Sequence, residues 1–75
     1  MLSDWLREAL EATGIKQAEL ARLLTEQLGR SIDRAAVNKM VAGNRAIAAD
    51  EAFAIERITG WEAPSEIEVP LKGYI

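Results

Sequence analysis

Apolar residues recur along this chain at helical spacing, and glycines cut the pattern into four runs. The first run carries Trp5, Leu6, Ala9 and Leu10 on one stripe and predicts a helix over residues 4–13, with Ser3 as its N-cap. The second predicts a helix over 17–28. Leu20, Ala21, Leu23, Leu24 and Leu28 face inward there, while Glu19, Arg22, Glu26 and Gln27 stay in water. The third starts after Asp33, whose side-chain oxygen suits the free amides of a helix start, and places Val37, Met40 and Val41 at i, i+3 and i+4. The fourth spans 49–59. Asp50 and Glu51 fall in its first turn, where the helix dipole favours negative charge, and Ala52, Phe53, Ile55 and Ile58 supply apolar contacts. Gly14, Gly29, Gly43 and Gly60 follow the four runs, the position at which a left-handed residue closes a helix. Ile32 and Ile47, in the links on either side of the third helix, read as buried anchors. Trp61 reads as a cover for one end of the bundle against the first helix.

Beyond Gly60 the period changes. Pro64 and Pro70 break helices, and Ile67, Val69 and Leu71 alternate with polar positions. The expected organisation is an all-α, compact four- to five-helix bundle over residues 1–62, then a linker or extended tail over 63–75 with a short helical turn near Ser65.

Composition narrows the chemistry. Seventy-five residues make one small domain, able to bury only roughly 60% of its unfolded surface. Cysteine and histidine are both absent, which removes disulfides, thiolate metal sites, the commonest general base and the commonest nitrogen ligand. No apolar run approaches the ~18 residues of a membrane span. The first ten residues carry Asp4 and Glu8 and no basic leader, so a cytoplasmic protein without a signal peptide is expected. Asp50–Glu51 and Glu66/Glu68 are neighbouring carboxylates, better explained by a helix start and a solvated tail than by catalysis. No phosphate-binding glycine loop or metal-ligand cluster is present, so neither enzyme activity nor a cofactor is expected.

Charge is unevenly spread. The net charge is −3, yet residues 30–45 hold Arg30, Arg34, Lys39 and Arg45 against Asp33 alone, a local +3 on a body of −6. A basic patch on an acidic body suits a protein that meets nucleic acid through one face. The outward positions of the third helix are Arg34, Ala35, Asn38 and Lys39. Arginine pairs bidentately with guanine and asparagine with adenine; lysine reaches guanine or phosphate, and a small alanine lets a helix approach a thymine methyl. Gln17, at the start of the second helix, reads as a helix-favouring surface residue or as a group that bonds a phosphate oxygen, and Asn44–Arg45 reads equally as a turn sequence or as a contact to backbone or an outer base. If four cations per subunit meet phosphates, affinity falls with salt at a log–log slope of roughly −4.

Residues 5–60 resemble the helix-turn-helix domain of phage-repressor and Cro-like regulators. The resemblance rests on Gln17-Ala18-Glu19-Leu20-Ala21, Ile32, Val37, Gly43, and the stretch Ala48-Ala49-Asp50-Glu51-Ala52 through Thr59-Gly60. It implies that Gln17 grips a phosphate, that Arg34, Ala35, Asn38 and Lys39 face base edges, and that Asn44 and Arg45 touch the backbone or an outer base. Two departures stand out. Lys16 occupies the usual threonine or serine N-cap position, and the stretch from Ala21 to Ile32 is about six residues longer than in the compact motif, which extends the second helix. Residues 68–75 are similar to the segment joining such a domain to a LexA-like self-cleaving domain, which implies a C-terminal domain beyond Ile75.

These expectations converge on a sequence-specific transcriptional regulator, a repressor that binds a palindromic double-stranded DNA operator as a homodimer. The competing expectation is an acidic helical protein-binding module, such as an antitoxin or anti-repressor, that works through another surface.

Overall fold

The four amphipathic runs become four α-helices. A computed structural model describes residues 2–63, with α1 (Leu2–Thr13), α2 (Gln17–Leu28), α3 (Arg34–Ala42) and α4 (Ala49–Thr59), and no strand among the described residues. The expected tail, with its prolines, its apolar alternation and its turn near Ser65, lies outside the described residues, apart from Ala63. No helix among the described residues is long and apolar enough to cross a membrane.

Local signals set the helix ends. Asp33 caps α3, accepting the Ala36 N–H at 2.9 Å. Lys16 offers no acceptor, and α2 starts without a side-chain cap. At the end of α3, Gly43 has φ 83°; its N–H donates to the Met40 carbonyl at 3.2 Å, and the Asn44 N–H donates to the Lys39 carbonyl at 2.9 Å. This pair of bonds is a Schellman closure, which needs a left-handed residue at Gly43. Thr13 and Thr59 finish α1 and α4 alike. Each hydroxyl donates to the carbonyl four residues back at 2.8 Å and accepts the N–H two residues on. Ser3 does not cap α1. The helix begins at Leu2, which packs against the core, and so Ser3 lies within its first turn.

One core holds the helices together. Leu6, Leu20, Leu24, Val37, Met40 and Ile55 are fully buried, with Trp5, Ala9, Ala21, Ile32, Ile47, Ala52 and Ala54 around them. Truncating one such leucine to alanine removes about 2–5 kcal/mol. α1 and α2 each pack on α3 and on α4, so α3 lies against both, whereas α3 and α4 touch only slightly.

Phe53 and Trp61 depart from expectation: Phe53 is 47% exposed and Trp61 39%. At about 100° per residue the buried positions of α4 (Glu51, Ala52, Ala54 and Ile55) form one arc, and Phe53 projects from the side opposite its middle. The same register carries Glu51 inward.

Candidate nucleic-acid interface

α3 separates its residues cleanly. Val37 and Met40 are buried, and Arg34, Ala35, Asn38 and Lys39 are exposed. Arg34 and Asn38 form one row and Ala35 and Lys39 the adjacent row, centred roughly opposite the buried edge. Neither Arg34 nor Lys39 makes an ion pair among the described residues.

α2 contributes to the same face. Gln17, its first residue, is half-buried, and its Oε1 accepts a hydrogen bond from Asn38 Nδ2 at 3.2 Å. That bond leaves the Gln17 amide donors, one Asn38 donor and the Asn38 carbonyl oxygen available. Lys16 is exposed immediately before Gln17, beside the uncapped amides of α2. Sequence reasoning gave Lys16 no role, although a cation in place of a capping oxygen was itself a signal.

The connector from α2 to α3, residues 29–33, is fixed from within. Thr25 Oγ1 accepts the Ile32 N–H at 2.9 Å and donates to the Ile32 carbonyl at 3.0 Å. One half-buried hydroxyl thus satisfies both main-chain groups of the buried anchor residue. α1 steadies the far end, where Arg7 Nη1 donates to the Val41 carbonyl at 2.9 Å. Neither tether was read from sequence, since each depends on where a distant element packs.

Arg30 and Arg45 are drawn away from the exposed row of α3. Arg45 grips Glu51 bidentately, Nη1 to Oε1 at 2.9 Å and Nη2 to Oε2 at 3.0 Å. Arg30 reaches Asp50 at 3.0 Å and Glu51 Oε2 at 3.1 Å. Glu51 Oε1 also accepts the Ala48 N–H at 2.9 Å, the glutamate half of a capping box. Its hydrogen bonds to Asp50 and Glu51 push the Arg30 guanidinium further up, and the bond to Glu51 does the same for Arg45 against its partial burial. The Arg30 hydrogen bond holds the Asp50 carboxyl below its ordinary value. For Glu51, burial is the largest influence and pushes upward. The bonds from Arg45, the Ala48 N–H and Arg30 together outweigh it, so this carboxyl also lies below its ordinary value. Asn44 is exposed at the α3 closure, next to Arg45.

Asn44 apart, the predicted residues therefore fall into two groups. Gln17, Arg34, Ala35, Asn38 and Lys39 line the exposed surface of α3 and the start of α2, while Arg30 and Arg45 converge on the first turn of α4. No group of three or more metal-ligating side chains occurs among the described residues.

No protein-family model matches this chain, and neither a curated protein nor a solved structure matches it.

Proposed function

We propose that this protein is a sequence-specific DNA-binding regulator, a repressor in which α2 and α3 act as a helix-turn-helix and α3 enters the major groove. The observation that carries the reading is the join between Gln17 and Asn38, 3.2 Å across, on the same surface as Arg34 and Lys39, neither of which makes an ion pair among the described residues. An amide pair that spans two helices holds a base-reading group and a phosphate-reading group in fixed relation.

Arg34 bonds a guanine edge through its planar fork. Asn38 keeps its carbonyl oxygen and one amide proton for the N6 and N7 edge of adenine. Lys39 contacts phosphate or guanine, and Ala35 meets a thymine methyl. Gln17 gives its amide protons to a phosphate oxygen at the open start of α2, with Lys16 adding charge there. A homodimer reads two half-sites about 34–36 Å apart, and repression follows from occupying a promoter.

The test is selection from random duplex DNA at low salt, followed by mobility shifts with Arg34→Ala, Asn38→Ala and Lys39→Ala. An enriched two-fold-symmetric sequence that each variant binds at least fivefold more weakly supports the reading. A parent protein that selects no sequence overturns it. In that event the protein-binding alternative gains, and the exposed Phe53 and Trp61 are where such a partner would be sought.

A further inference from the structure

We propose that Glu51 is a positioning residue for DNA recognition, a single buried carboxylate that ties both connectors of α3 to the start of α4 and so sets the angle at which α3 meets the groove. The proposal rests on the DNA-reading assignment of α3.

Glu51 is 1% exposed, yet its carboxylate meets four donors: two from Arg45, one from Arg30 and the Ala48 N–H. Arg30 lies in the connector that precedes α3 and Arg45 in the connector that follows it. One side chain therefore takes hold of the chain on both sides of the nine-residue helix. Helix-on-helix packing supplies little of this constraint, because α3 rests on α1 and α2 and touches α4 only slightly; Ile32 and Ile47 anchor the connectors in the core, and Glu51 fixes their polar side. Glu51 does not itself lie among the exposed residues of α3, so it acts through the two arginines.

The geometric demand on α3 is severe. At ~1.5 Å per residue a helix of this length is roughly 13 Å long, and a tilt of about 10° about one end moves the other by about 2 Å. Bidentate base contacts tolerate only a few tenths of an ångström. Phosphate contacts from long flexible cations tolerate far more. Loss of the clamp therefore costs discrimination between sequences before it costs DNA binding as such. A purely structural role predicts something else, equal loss on every DNA in proportion to the unfolded fraction.

The experiment compares affinity for the selected operator with affinity for a scrambled duplex, for the parent chain, Glu51→Gln, Arg30→Gln and Arg45→Gln. Each is measured at a temperature where circular dichroism shows it fully helical. Glutamine keeps the acceptor for the Ala48 N–H and removes the charge. We expect Glu51→Gln to lower the operator-to-scrambled ratio at least tenfold, with scrambled binding unchanged or up to threefold stronger because a negative charge is gone. Amide exchange over residues 34–42 should quicken while residues 20–24 keep their protection. Arg30→Gln and Arg45→Gln, each leaving Glu51 one arginine, should lower the ratio three- to tenfold and decide the matter if Glu51→Gln does not fold. A ratio that stays at the parent value, or equal loss on both duplexes, overturns the proposal while leaving the DNA-binding reading intact. A parent chain that selects no DNA removes that reading and this inference together.

Discussion

Asn38 donates an amide proton to Gln17 across 3.2 Å, joining the middle of α3 to the first residue of α2. The bond orients both amides, so the two residues should act on DNA as a unit. Asn38→Ala is expected to weaken operator binding by about 1–3 kcal/mol and to relax selection at one A·T position. Gln17→Ala should weaken it by about 1 kcal/mol with little change in sequence preference. A double-mutant cycle should then give less than the sum of the two, a coupling of about 0.5 kcal/mol or more, since each single change already frees the other side chain. Strict additivity in titrations of the four proteins would mean that the contact has no part in binding.

Arg30 and Arg45 pair with Asp50 and Glu51, so the local excess of +3 in the sequence overstates the charge this face would offer to phosphates. Each cation that touches a phosphate contributes about −0.9 to the log–log salt slope. Arg34→Gln and Lys39→Gln are each expected to reduce that slope by about one unit. Arg30→Gln and Arg45→Gln should leave it within about 0.3 of the parent, although affinity for the operator falls. Titrations between about 50 and 200 mM salt check this. A full unit lost with Arg45→Gln would show that the arginine leaves Glu51 for phosphate on binding.

The parts of this structure that were legible in the sequence are those that nearest neighbours decide. α2 and α4 run over the residues expected from their periodicity and flanking glycines, and Asp33 caps α3 as its side chain suggests. The exposed row of α3 is legible for the same reason, since the step of about 100° between residues turns Arg34 and Asn38 away from the side that carries Val37 and Met40. Phe53 is exposed against its apolar character because its angle on α4 opposes the buried arc. Glu51 was assigned only to the helix dipole because a lone carboxylate is rarely buried. Its partners come from two separate connectors, and no local pattern announces their meeting. The part played by Thr25 is hidden for a like reason, its two bonds going to a residue beyond the end of its own helix.

The acid limb of stability should report the Glu51 cluster. In the folded protein the Asp50 and Glu51 carboxyls both lie below their ordinary values, so folding favours their ionised forms. The stability they contribute is fully present above the unfolded carboxyl range of ~4 and is lost as pH falls through the folded values. Urea midpoints should stay level from pH 8 to 6 and drop steeply below about pH 4. Glu51→Gln should lower the neutral plateau by about 1–3 kcal/mol, a figure moderated because both arginines can return to water. It should also flatten the acid limb, so that parent and variant converge near pH 2. Parallel curves from pH 7 to 2 would show that Glu51 takes no part in the linkage.

Thr25 offers the sharpest test of how the α2–α3 connector is held. Its hydroxyl pairs with both main-chain groups of Ile32, a buried residue, at 2.9 and 3.0 Å. Valine keeps the shape of threonine and removes the hydroxyl, leaving a buried N–H and a carbonyl without partners. Thr25→Val is therefore expected to cost about 1–3 kcal/mol. For a domain of this size each kcal/mol lowers the melting temperature by about 4–8 °C. Thr25→Ser restores the hydroxyl and should recover most of the loss, whereas Thr13→Val, which removes a hydroxyl from the end of α1, should cost about 1 kcal/mol or less. Thermal melts of the three variants distinguish the two sites. If valine at position 25 proves no worse than valine at position 13, the connector is held by the Ile32 side chain in the core and not by the Thr25 hydroxyl.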